Sequence, residues 1–183
     1  MEFRFTDPAT DFADGILVLR TYHRDFLIRG QRLLDLVEAI DEYGMTETYA
    51  NTCVEFHCYY TRANHLHHQD EESALFPLLA RRSYLIDGML ERLALDHEEI
   101  DESWSELAAL LSAPEALRGS NKLLRSAREF EKLQREHLTR EDEDFLPVID
   151  TMLTQEARLN AGRKMATLRF PARAASLPAT SMA

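Results

Sequence analysis

The sequence has little to break a helix with. Its 183 residues include six glycines and six prolines, which leaves few turns and speaks against the many short strands of a sandwich or barrel. Leu, Ala, Glu and Arg abound instead, so long helices and an all-α fold are expected. Positive charge is scarce as well. Lys and Arg number 21 against 32 Asp and Glu, for a net charge of −11 and a pI near 5.1. Such a surface repels phosphate backbones, so no nucleic-acid partner is expected. No stretch approaches the roughly 18 uninterrupted apolar residues of a membrane span. The start, Met1-Glu2-Phe3-Arg4-Phe5, lacks the basic segment and apolar run of a secretion signal. A cytoplasmic protein with no membrane partner is the expectation. Cysteine is limited to Cys53 and Cys58, five apart in a helical pattern. That spacing holds their Cα atoms too far apart for an unstrained disulfide, so both read as free thiols.

What is present is ordinary globular material, 45% hydrophobic and 29% charged, at a length suited to one well-cored domain. Four helical patterns can be read. The first runs from about Phe12 to Tyr43, closed by Gly44, with Phe12, Ile16, Leu19, His23, Phe26, Gly30, Leu33, Val37 and Ile40 at alternating steps of four and three. The second, from about Thr46 to Arg81, lines up Cys53, Phe56, Tyr60, Ala63, His67, Glu71, Ala74 and Leu78. The third, from about Ser83 to Leu111, lines up Ile86, Leu90, Leu93, His97, Ile100, Trp104, Leu107 and Leu111. Ser112-Ala113-Pro114-Glu115 has the form of a capping box for the fourth, with Gly119 a weak point behind it. That helix extends to about Met152 with Leu123, Ala127, Phe130, Gln134, His137, Glu141, Phe145 and Val148 inward.

Short connections join antiparallel neighbours, so the expected architecture is an up-down-up-down four-helix bundle over residues 1–153. The character changes from Thr154. Arg158, Arg163, Lys164, Arg169 and Arg173 face only Glu156, which predicts a short helix to about Leu168 docking on the acidic bundle. A Pro/Ala/Ser-rich end from Pro171 reads as disordered, so residues 154–183 form a basic extension.

The two halves repeat each other. His67-x-x-x-Glu71 with Pro77 six beyond the Glu answers His137-x-x-x-Glu141 with Pro147 six beyond. Each is preceded by one inward histidine on the previous helix, His23 and His97. A His and a Glu four apart point the same way from a helix, so two such helices and two single-His helices can converge on one level. Burying two carboxylates side by side is costly, and a cation removes that cost. Six donors exceed what one tetrahedral zinc uses. Two bridging carboxylates with two histidines per ion fit a dinuclear centre, with iron the leading candidate and manganese, zinc or a mixed pair left open by ligand type. His68 and Glu72 share the same spacing in the alternative register, but the repeat selects His67 and Glu71, which leaves His65 and His68 at the surface or behind the ligands.

His23-Arg-Asp-Phe26, His67-His-Gln-Asp-Glu71-Glu-Ser-Ala-Leu-Phe-Pro77, Asp96-His97 and His137-Leu-Thr-Arg-Glu141 resemble the hemerythrin (HHE cation-binding) family over residues 12 to 152. The resemblance implies a four-helix bundle holding two non-haem iron ions, bridged by carboxylates and an oxo or hydroxo group. Glu71 and Glu141 would be the bridges; His23, His67, His97 and His137 would be terminal ligands. Oxygen-carrying members supply two histidines one turn apart from the third helix, whereas here His97 has Leu93 before it and Asp101 after it. The pattern is therefore similar to the four-His, two-Glu branch, which includes iron-sulfur repair proteins and bacterial stress-related proteins.

A His-rich centre favours reduced iron and hence binding of O₂, NO or peroxide. Phe26, Gly30, Tyr60 and Trp104 are the candidate lining of a pocket for such a ligand, with Gly30 either opening access or packing against Trp104 or Tyr60. Tyr60 is a candidate hydrogen-bond donor to the ligand, with a backbone partner the alternative. His57 reads as a partly exposed spacer and Asp101 as a surface residue beside the site. Two roles stay open: a module binding or sensing O₂ or NO, and a di-iron enzyme consuming hydrogen peroxide or NO in stress defence. An iron store or donor for metal-centre repair is a third.

Overall fold

The computed structural model describes residues 3–113 and 121–170, and all the regular structure among them is helical, with no strand. In chain order the elements are α1 (Gly15–Tyr43), α2 (Glu47–Gln69), a π-helical turn (Asp70–Leu75), α3 (Phe76–Leu79), α4 (Tyr84–Ser112), α5 (Lys122–Arg140), a second π-helical turn (Glu141–Phe145), α6 (Leu146–Met152) and α7 (Gln155–Arg169).

The starts of four helices are set by side-chain caps of the expected kind. Asp14 accepts from the Ile16 amide at 2.8 Å, Thr46 from Tyr49, Ser83 from Ile86 and Thr154 from Ala157, each of the last three at 3.2 Å. The Asp14 cap starts α1 three residues later than Phe12, the expected first residue. Gly44 ends α1 at φ 83°, a conformation that suits glycine, and its amide reaches the Ile40 carbonyl. Ser112 is the last residue of α4, where its hydroxyl donates to the Ala109 carbonyl. Pro114, Glu115 and Gly119, and the end from Pro171, lie outside the described residues.

Each of α1, α2, α4 and α5 presents its inward residues to two neighbours: α1 packs on α2 and α5, and α4 on α2 and α5. The core fills with the predicted side chains, including Leu19, Phe26, Leu33, Tyr60, Leu93, Ile100, Leu107 and Phe130, all buried. α7 lies outside this ring against α1, α2 and the first π turn. There Gly15 and Gly162 allow close approach: a Cβ on Gly15 would sit 2.8 Å from the Ala161 Cβ, and one on Gly162 would collide with the Phe12 carbonyl.

The second and fourth predicted helices are not continuous. At both π turns the amide of the residue before the proline skips one residue further back than in an α-helix, Phe76 bonding the Glu71 carbonyl and Leu146 the Glu141 carbonyl. Pro77 and Pro147 lack an N–H and would press on the carbonyls four residues earlier, so a widened turn relieves both. The freed Ser73 carbonyl accepts from the Lys164 ammonium of α7. The extra residue shifts the inner stripe by one. Leu79 and Ile149 are buried, while the expected Leu78 and Val148 are only half-buried.

Candidate metal centre

Glu71 is the second residue of the first π turn and Glu141 opens the second, so each carboxylate projects from widened backbone one turn beyond its histidine on α2 or α5. His23 comes from mid-α1 and His97 from mid-α4. The six side chains meet in the interior with at most 2% of any of them exposed. One donor atom from each of His23, His67, Glu71 and Glu141 lies within 4.8 Å of the others, and the same holds for Glu71, His97, His137 and Glu141. Two four-donor clusters thus share both carboxylates. Across them, His97 Nε2 is 2.9 Å from Glu71 Oε2, while His23 Nε2 and His137 Nε2 are each 3.2 Å from Glu141 Oε2. His67 Nε2 is 3.7 Å from Glu141 Oε2 and 3.9 Å from Glu71 Oε1.

Nearly all these inward atoms lack partners. Both oxygens of Glu71 and Glu141, and Nε2 of His23, His67, His97 and His137, are buried without a hydrogen bond. Such a set is costly in a protein interior, and a cation accepting all the lone pairs satisfies it. Without one the charges must rearrange. Burial, with the Glu141 charge beside it, holds the Glu71 carboxyl well above the ordinary range. Burial pushes His67 well below its usual value. For His23 burial acts downward too, but Asp142 and Glu141 outweigh it and raise the imidazole to about 10. Four imidazoles and two carboxylates, no thiolate among them, are a donor set for a transition-metal ion of the iron, manganese or zinc kind and do not suit magnesium or calcium.

A shell of carboxylates orients the imidazoles, and the sequence reading had not assigned it. Asp142 accepts from His23 Nδ1 at 2.8 Å and Glu72 from His97 Nδ1 at 2.7 Å. Each of these acids directly follows a Glu of the pair and holds the histidine of the other helical hairpin. Asp96 Oδ2 is 3.5 Å from His137 Nδ1 and is itself gripped by Arg92 and Arg140. The available signal was the acidic residue after Glu in both repeats. For His23 and His97 the carboxylate on Nδ1 fixes the tautomer and turns the Nε2 lone pair inward, while Nδ1 of His67 and of His137 makes no hydrogen bond.

Of the candidate pocket residues, Phe26 and Tyr60 stack on each other at 5.9 Å, and Tyr60 meets Trp104 at 5.3 Å. Phe26 stands edge-on to His67 at 5.3 Å. Gly30 is apart from this layer. Its missing Cβ faces Glu131 Cγ of α5 at 3.2 Å, neither Trp104 nor Tyr60, and it lines a narrow cleft with Phe26 and Gln134. The Tyr60 hydroxyl has no hydrogen-bond partner, backbone or otherwise. His57 is half-buried against Trp104 and His65 is exposed. His68, expected at the surface or behind the ligands, is buried beside His97 because the interior face of α2 is wide enough to take two adjacent residues.

The model of the hemerythrin HHE cation-binding domain matches residues 14–149, and the chain belongs to this family. It is 30% identical over 81 residues to an uncharacterised protein of Haemophilus influenzae (strain ATCC 51907 / DSM 11121 / KW20 / Rd), over 44% of this chain and 47% of that protein. The matched stretch thus spans about half the length of that curated relative. No solved structure matches the chain. No helix among the described residues is long and apolar enough to cross a membrane.

Proposed function

We propose that the chain is a non-haem di-iron protein that binds or senses O₂ or NO, on an antiparallel up-down-up-down four-helix bundle formed by residues 1–153. The supporting observation is the pair of four-donor clusters sharing Glu71 and Glu141. In this reading His23 and His67 hold one ion, His97 and His137 the other, and the two carboxylates serve both. Bound iron supplies single-electron steps and coordination positions for a small ligand.

The chain's own groups tune that chemistry. Four neutral imidazoles against two carboxylates leave the centre less negative than a carboxylate-rich one, which favours reduced iron. Asp142 and Glu72 hold His23 and His97 through Nδ1, keeping the ring planes fixed while a ligand enters or leaves. Phe26 packs on His67, with Tyr60 and then Trp104 behind it, an aromatic layer that excludes bulk water, as a small uncharged ligand requires. Optical spectra of the iron-loaded protein, taken without air and then in air or NO, test this role. A stable new absorption that reverses when the gas is removed is expected. Rapid turnover of hydrogen peroxide or NO with no lasting adduct would contradict it.

A further inference from the structure

One buried histidine stands outside the six donors of the proposed centre. His68 is 5% exposed. Its ring lies beside that of His97, 4.1 Å between centroids and 9° from parallel, and 6.2 Å from that of His137. One nitrogen from each of His68, His97 and His137 falls within 4.8 Å of the other two.

The Nδ1 of His68 is turned toward a carboxylate, Asp101 Oδ1 at 3.2 Å, without the hydrogen bond that His23 Nδ1 makes to Asp142 and His97 Nδ1 to Glu72. Both ring nitrogens of His68 are buried with no hydrogen-bond partner, and with Nδ1 on the Asp101 side Nε2 is the one left for a cation. His57 and His65 show none of this.

Building on the di-iron reading above, we propose that His68 is a fifth imidazole ligand, binding through Nε2 at the ion position of His97 and His137. The two positions are then unequal, three imidazoles against two. Asp101 occupies the place four residues after His97 and serves as the carboxylate behind His68.

Mössbauer spectra of the full chain loaded with ⁵⁷Fe(II), together with chelator competition, test the assignment. Wild type is expected to give two doublets of equal area and different splitting. In His68→Ala one doublet changes and its iron is lost to chelator at least about tenfold more readily, while the exposed control His65→Ala matches wild type. His68→Gln, closer in size, is expected to do the same and covers the case in which the alanine variant misfolds. Two unchanged doublets and unchanged competition in a folded His68 variant overturn the proposal while leaving the di-iron reading standing. Wild type holding fewer than two irons, or His67→Ala keeping both, overturns that reading and the role of His68 with it.

Discussion

At the scale of single residues, His67 and Glu141 are wholly buried side chains whose inward atoms have no protein partner. Removing one should therefore empty the centre more than it harms the fold. His67→Ala and Glu141→Ala are expected to lose most bound iron, measured by metal analysis, while circular dichroism shows helix content largely kept. Collapse of the helical signal in both would mean that the metal holds the fold together. The six side chains that converge in the interior stood out in the sequence because each interrupts an otherwise apolar stripe. For Glu72 and Asp142 the one trace was an acid after each Glu of the repeat, and for Asp96 there was none, because an acid just off the stripe looks like any solvated helix residue until the neighbouring helix is placed. His68 is buried beside His97, the inner of the two placements its position in the sequence left open. A strict stripe admits one of two adjacent residues, whereas the inner face of α2 takes both His67 and His68.

At the scale of elements, the two π turns aim the carboxylates. In each, the Glu carbonyl bonds an amide five residues on, immediately before a proline. Replacing the proline restores an N–H to the ladder and removes the pressure for a widened turn. A return to α geometry rotates the segment beyond the turn relative to the helix that carries the histidine. Pro77→Ala and Pro147→Ala are expected to bind metal more weakly, by chelator competition, without loss of thermal stability. Unchanged affinity in both would show that the turns are fixed by packing instead. The helices themselves were legible from apolar periodicity and caps, and α4 buries each residue of its predicted stripe. The π turns were not, because one inserted residue leaves only a late slip of the stripe, from Leu78 to Leu79 and from Val148 to Ile149. The repeated proline was their only trace.

At the scale of the whole molecule, the basic extension is tied to the centre from behind. Arg169 on α7, 3% exposed, bonds both oxygens of the wholly buried Asp70 at 2.6 and 2.7 Å, Asp7 at 2.6 Å and the Tyr22 hydroxyl at 3.0 Å. Asp70 directly precedes Glu71, and Tyr22 stacks on His67. Charge complementarity foretold the docking of this segment, but composition could not foretell one arginine joining the N-terminal segment, α1, α7 and a π turn. Arg169→Ala leaves Asp70 buried without its cation and is expected to cost about 3–5 kcal/mol in urea unfolding. The pH dependence has a definite sign. Burial raises Asp70 to about 6, against the pull of Arg169, from an ordinary 3.8. The folded state therefore holds that proton more tightly than the unfolded one, and stability from this group falls as pH rises through that range. The variant should be penalised more at pH 8 than at pH 5; an equal penalty would mean that Asp70 is not the group left stranded.

The account depends on two ions sharing Glu71 and Glu141, and anomalous diffraction at the iron edge from crystals of the iron-loaded chain tests that most directly. Two peaks are predicted, both in contact with the two carboxylates, one on the His23 and His67 side and one on the His97 and His137 side. A single peak, or density with the two carboxylates turned away from it, would contradict the account.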